Sequence, residues 1–396
     1  MPIYYKKVQR YSSDAVRFVD SRKRFSVGTK SKINSKKDSI EMSSINIQME
    51  AASPLIASPS ISADMCCKEE LIDTRFGPLL VARQGADHLK GKPIILTYHD
   101  IGFNYLANFE EFFNFPDNKI LLHSFAVVHI NAPGQHMDRL PADYIYPTIE
   151  QLTAQIQDVI DYFQIKTFVG IGQGLGANLL SRFALLNPNA VDGLLLLNPT
   201  FGTSSWSEWF YQRKNVRVLL NENDSSLLPQ IVQDYFLWYH FGRESAERDD
   251  ASRNVIEIFR GFYRGMSLNS YNLGLLIESY LKRTPIAIER NGLNFKCQVL
   301  VMSGSLSPHV DETLSVISRL DPKHSSWLKL NGCAMVLEEK PDKVAEAFRL
   351  FLQGLGYTLK AYERRRALMS GLSLPCLTSV GTSLSTRRMT DTIDFV

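Results

Sequence analysis

The stretch FVGIGQGLGANLLSRFALLNP, residues 168–188, reads as a buried strand, a glycine-rich turn and the start of a helix. Three kinds of site use that shape. A phosphate-binding P-loop is excluded, because no Gly-Lys-Ser/Thr follows the turn. A dinucleotide fingerprint, G-x-G-x-x-G/A, fails when counted from Gly170, where its last position is Leu175. Counted from Gly172 it ends on Ala177, which the looser form of the motif allows. Context argues against it. The turn follows about the fifth strand instead of the first, and Asp192, the acid some 20 residues on, precedes a strand instead of ending one. The third reading is a nucleophile elbow, G-x-Nuc-x-G, with Gly172 at its centre in Gly170-Ile171-Gly172-Gln173-Gly174.

Outward from the turn, short runs rich in Ile, Val and Leu alternate with helical patterns. Strands are expected at 69–74, 77–86, 92–102, 125–134, 167–172, 191–199, 297–304 and 325–330. Near-continuous apolar strands are the mark of a sheet buried on both faces, usually parallel. TIEQLTAQIQDVIDYF (148–163) carries a helical stripe of Leu152, Ile156, Val159, Ile160 and Phe163. A closing helix over 341–355 starts on Pro341. Residues 201–290 hold helical patterns and no convincing strand pair, which predicts a cap over the strand ends. Strand, elbow, helix and cap in this order predict an α/β-hydrolase fold, a mostly parallel central sheet flanked by helices.

The catalytic residues of such a fold follow in the order nucleophile, acid, histidine. The nucleophile position reads Gly172, which has no side chain to attack a carbonyl. After the next-to-last strand the acid position falls at about Ser307, with Asp311 already in the following helix and His309 beside it as a helix-start cluster. The loop Asn331–Glu338, where the histidine belongs, centres near Ala334 and contains no histidine. Losing a triad forfeits on the order of a million-fold in rate. The sequence therefore predicts no hydrolase chemistry, no metal set and no cofactor. The oxyanion side is partly kept in Tyr98-His99-Asp100-Ile101-Gly102. His99 and Asp100 are expected to tie that loop by hydrogen bonds. Together with Gly172 and Gln173 they are also the candidates for holding a ligand in a vestigial pocket, since a helix N-terminus can receive an anion.

Charge is uneven along the 396 residues. Residues 1–40 hold 11 Lys and Arg against 3 acids, and residues 357–396 hold 6 against 3. Residues 41–356 hold 27 against 35, so an acidic body lies between two basic ends under a net charge of +3. An acidic body argues against nucleic acid along the core. It leaves the N-terminus for weak contact with a membrane surface and both ends as docking arms. Residues 1–64 read as a basic disordered extension, 65–356 as the folded domain and 357–396 as a disordered Ser/Thr/Arg-rich tail. No apolar run approaches 18 residues, and the N-terminus lacks the apolar core of a signal peptide. Five irregularly spaced cysteines predict neither a disulfide framework nor a zinc site, and a reducing cytoplasm is the default. Arg387-Arg388-Met389-Thr390 marks Thr390 as a phosphorylation candidate. The cap aromatics Trp206, Trp209, Phe210, Trp238 and Tyr239 are expected to be core between cap and sheet, with an exposed partner groove as the other reading.

Six further stretches carry a resemblance. LTYHDIGFNY (96–105), HINAPGQ (129–135), YPTIEQLTAQI (146–156), VGIGQGLGANLLSRFAL (169–185), LDPKHSSWLKL (320–330) and FRLFLQGLGY (348–357) occur in this order. They are similar to the N-myc downstream-regulated (NDRG) family over roughly residues 66–357. The resemblance implies an α/β-hydrolase fold without hydrolase activity, a mainly cytoplasmic location, and work in signalling, differentiation, stress response or vesicle traffic. It also implies a C-terminal segment modified by kinases. The chain departs from the family at Asn131, where an Asp is common, in its long basic N-terminal extension, and in a cap that matches loosely. The function expected is protein binding in signalling. The alternative is a small-molecule receptor that uses the emptied pocket.

Overall fold

The computed structural model describes residues 67–357, apart from 86–88, 90, 117, 137–138, 222–227 and 266–267. The N-terminal extension and the tail with Thr390 therefore lie outside the described residues. All eight expected strands form: β1 (Lys68–Thr74), β2 (Gly77–Gly85), β3 (Ile94–Tyr98), β4 (Ala126–Ile130), β5 (Phe168–Gln173), β6 (Val191–Leu197), β7 (Gln298–Gly304) and β8 (Ser325–Leu330). They make one sheet in the order β1-β2-β4-β3-β5-β6-β7-β8. The first two pairings, β1 with β2 and β2 with β4, are antiparallel, and every pairing beyond β4 is parallel. β3, β4 and β5 are buried along their whole length, as near-continuous apolar runs require. β8 alternates half-buried and exposed residues at the sheet edge, where one side has no neighbour.

The helices follow from local signals. α1 (Ile149–Phe163) begins in a capping box, with Thr148 and Gln151 satisfying one another's backbone amides. Its stripe of Leu152, Ile156, Val159 and Ile160 is buried against the sheet. Each such side chain contributes about 1.5–3 kcal/mol relative to exposure. α2 (Leu175–Leu186) leaves the glycine-rich turn directly. It runs so close to β3 that a Cβ on Gly176 would meet the carbonyl oxygen of Tyr98 at 1.9 Å. Only glycine permits that approach.

Between β6 and β7 the described residues contain helices and no strand: α3 (Trp206–Asn221), α4 (Gln230–Phe241), α5 (Asp250–Gly265) and α6 (Ser270–Leu281). A partly buried ion pair closes this cap. Arg283 Nη2 donates to Glu208 Oε2 at 2.8 Å, its Nε donates to the Gly202 carbonyl, and its guanidinium lies 4.0 Å from the Tyr280 ring centroid. α7 (Val310–Arg319) and α8 (Pro341–Gly354) also flank the sheet, with shorter helical segments at Leu106–Glu110, Glu111–Asn114, Lys119–Ser124 and Val336–Glu339.

The cap aromatics divide differently from the expectation. Tyr239 is buried, but Trp206, Trp209, Phe210 and Trp238 are exposed. The buried side of α3 is Gln212, Asn215, Val216 and Leu219, so its aromatic stripe faces outward.

Candidate functional site: an elbow sealed by its own carboxylate

The strained turn lies two residues beyond the position expected for it. Gly172 is ordinary strand, paired with Tyr98 and Leu196. Gly174 carries φ +49° and ψ −109° between β5 and α2, a conformation that L side chains rarely adopt. The elbow is therefore Gly172-Gln173-Gly174-Leu175-Gly176, with Gly174 in the nucleophile's place. Glycines at every second position make both registers fit the motif, and backbone geometry separates them.

What replaces the nucleophile is a carboxylate. A Cβ on Gly174 would meet Asp100 Oδ1 at 2.1 Å and its Cγ at 2.2 Å. Asp100 Oδ1 accepts the backbone amides of Ile101 at 2.7 Å and Leu175 at 2.8 Å. A hydrolase forms its oxyanion hole from the amide after the nucleophile and an amide of the loop after the third strand. Here both amides are bound to Asp100. An incoming carbonyl oxygen would have to displace the Asp100 side chain to reach these two amides.

His99 backs the loop, as expected. Its Nε2 accepts the Ala132 amide at 2.9 Å, so its Nδ1–H donates to the Asp100 carbonyl at 2.8 Å. Burial lowers its pKa to about 4, which keeps the ring neutral. His129 is likewise satisfied inside, with Nδ1 2.8 Å from the Thr97 hydroxyl, and burial lowers its pKa to about 3. The cap adds a residue that the sequence reading missed. His240 Nε2 lies 3.6 Å from Asp100 Oδ2, and its Nδ1 lies 2.7 Å from the Tyr263 hydroxyl. Its ring stacks on Phe103 at 4.2 Å and on Phe236 at 5.7 Å. These buried rings fill the space between the loop after β3 and the cap.

The other two catalytic positions are built into the scaffold. Ser307 is buried and its Oγ accepts the His309 amide at 3.2 Å, while Asp311 lies in the first turn of α7. Ala334 is buried, and its amide and that of Met335 donate to Glu339 Oε1 at 2.7 and 2.8 Å. Asn198, at the end of β6, donates from Nδ2 to the Ala334 carbonyl at 3.1 Å. Glu339 Oε2 accepts Arg248 Nε at 3.0 Å, both side chains at most 1% exposed. Arg248 also donates to the carbonyls of Arg243 and Phe241. The loop that carries histidine in a hydrolase is thus pinned to the cap by an ion pair.

Gln173 points inward as well. Its Nε2 donates to Glu338 Oε1 at 3.4 Å, and Asn108 Nδ2 donates to the same oxygen at 3.0 Å. Desolvation pushes the Glu338 carboxyl up to about 8, so it is largely protonated at neutral pH. The structure thus brings Asp100, Gln173 and Gly174 together with His99 behind them, whereas Gly172 offers no surface. Neither Glu338, Glu339, Arg248 nor His240 has a local sequence signal. Each gains its role from partners far along the chain.

A cleft of about 300 Å³ opens elsewhere, between the start of α1 and α6, lined by Tyr146, Ile149, Leu275, Glu278 and Ser279 among others. None of the elbow residues lines it. Cys297 and Cys333 are buried and unbridged, and burial pushes both thiols up to about 12. No helix of the described residues is long and apolar enough to cross a membrane.

Residues 69–359 match the Ndr family. The chain belongs to that family. Protein NDRG3 of Xenopus laevis is 35% identical over 302 residues, covering 73% of this chain and 76% of its own length. Protein NDRG2 of Danio rerio is 32% identical over 321 residues, covering 80% and 81%. Among solved structures, an esterase from Thermogutta terrifontis superposes with TM-score 0.58 at 15% identity over 73% of this chain and 99% of its own. An enol-lactonase from Burkholderia xenovorans gives 0.56 at 16% identity over 72% and 100%. Identities that low establish the α/β-hydrolase fold and nothing about activity. The Ndr chain shares the enzymes' framework.

Proposed function

We propose that this Ndr-family chain is a non-catalytic α/β-hydrolase-fold protein that acts in cytoplasmic signalling, differentiation or stress response by binding other proteins. One observation carries the non-catalytic part. The Asp100 carboxylate fills the place of a nucleophile side chain and takes both amides that would stabilise an oxyanion. The positions of acid and base, Ser307 and Ala334, supply no titratable group. Proton transfer during hydrolysis needs a positioned acid or base, and a bare glycine cannot form an acyl intermediate. The stacked rings of Phe103, Phe236 and His240 over the elbow argue against a receptor pocket there. What is left to the molecule is its surface and its two basic ends, with Thr390 as a phosphorylation site that would add negative charge to the tail. The test is direct. The purified full chain is assayed on short-chain nitrophenyl esters and lactones, with background rates expected. Enzyme-like turnover that disappears in Asp100→Ala would overturn the proposal. Fractionation that finds the chain outside the cytoplasm would overturn the location.

A further inference from the structure

The outer face of α3 has no role in the elbow. A capping box starts this helix, with the Glu208 amide donating to Ser205 Oγ at 3.1 Å and the Ser205 amide donating to Glu208 Oε2 at 3.3 Å. Positions 206, 209, 210, 213 and 217 then fall on one side at helical spacing. They are Trp206, Trp209, Phe210, Arg213 and Arg217, with Lys214 at the margin, and all are exposed. Trp206 is 79% and Phe210 52% exposed, and their rings stack at 5.9 Å. Large aromatics left in water at this density mark an interaction surface.

The exposed charges that α3 itself carries on this face, Arg213, Lys214 and Arg217, are all basic. Glu208, the acid of the first turns, is turned inward to Arg283. Arg213 has Glu278 of the neighbouring α6 at 3.9 Å, and Lys214 and Arg217 remain exposed beside it. A basic, aromatic strip thus stands on a body whose residues 41–356 carry more acids than bases, 35 against 27. None of the strip's residues lines the cleft between α1 and α6. A face that presents exposed rings beside cations can seat the rings at headgroup depth and pair the cations with the phosphates of an anionic bilayer. One such face binds weakly alone, and the 11 basic residues within 1–40 supply a second attraction of the same kind.

The geometry points to the outer face of α3 as a docking surface for an anionic phospholipid bilayer. The experiment uses the full chain with vesicles of phosphatidylcholine, with and without 30% phosphatidylserine. Binding is expected only to the second kind, weakening with salt. The chain has 4 tryptophans, three of them the exposed Trp206, Trp209 and Trp238, so emission should shift to the blue and be quenched by brominated lipid. Arg213→Glu/Lys214→Glu/Arg217→Glu and Trp206→Ser/Phe210→Ser alter exposed positions, and each should retain the parent melting temperature. The charge-reversed chain should bind on the order of a hundredfold more weakly, since each basic residue near such a surface contributes roughly tenfold or less. Three results would overturn the inference: no binding by the parent chain, unchanged binding by both variants, or binding of polyglutamate through the same residues without binding of vesicles. The second would assign the contact to the N-terminus and the third to an acidic protein. All three leave the ester assay untouched.

Discussion

Asp100 Oδ1 accepts the backbone amide of Leu175 at 2.8 Å, across a separation of 75 residues. That one bond joins the loop after β3 to the first turn of α2, where a helix N-terminus favours negative charge. Where a hydrolase would receive an oxyanion, this chain places the Asp100 side chain.

Asp100→Ala removes the acceptor from two buried amides, Ile101 and Leu175. Each orphaned amide costs about 1–3 kcal/mol, so urea unfolding should show a loss of that order without any gain in ester hydrolysis. Added acetate should raise the melting temperature of this variant and leave the parent unchanged, because a ligand that binds only the folded state stabilises it.

Gly174→Ser should not create an enzyme. The residue has φ +49°, and its Cβ would lie 2.1 Å from Asp100 Oδ1. Backbone strain alone costs about 1–3 kcal/mol. The double variant with Asp100→Ala relieves the clash but still lacks a base at Ala334. Nitrophenyl ester assays of both should stay at background.

Arg248→Met leaves Glu339 buried with its charge uncompensated. Removing one partner of a buried pair costs about 3–5 kcal/mol, so this variant should be strongly destabilised. Chemical denaturation of the purified variant checks it. Because Glu339 also accepts the amides of Ala334 and Met335, Glu339→Gln should be milder than Glu339→Ala.

Glu338 gives stability a pH dependence with a definite sign. Its folded pKa is raised from 4.5 to about 8. The folded chain therefore holds a proton that the unfolded chain has released, and the contribution is complete below pH 4.5. It fades as pH rises and is gone above about 8. Melting temperatures from pH 5 to 9, compared between parent and Glu338→Gln, should run together at the acid end and part as the parent's carboxyl ionises.

His99 and His129 act in the opposite sense. Their pKa values are lowered from 6.5 to about 4 and about 3, so the unfolded chain takes up protons first as pH falls. Stability from these rings is present above pH 6.5 and is lost below it, down through the folded values. Their imidazole NMR signals should remain those of neutral rings at pH 5.5.

The sheet was legible because buried strands such as β5 and β6 are apolar almost throughout, and a two-sided burial leaves that mark on local sequence. That position 334 carries an alanine is read directly from the sequence. The elbow's register was not, since Gly170, Gly172, Gly174 and Gly176 are equally spaced and only φ distinguishes them. The stripe Trp206, Trp209, Phe210 has core periodicity, yet α3 buries the opposite, more polar side. Helical spacing tells which residues share a face and not which way that face turns. The pair Arg248–Glu339 is separated by 91 residues, and no window of sequence contains both.

The bond between Asp100 and the two elbow amides also constrains how this elbow can be rebuilt. A serine side chain at 174 collides with Asp100. Removing Asp100 first strips two amides of their acceptor. Either order of single substitutions passes through a less stable protein, so the two positions are redesigned together or not at all.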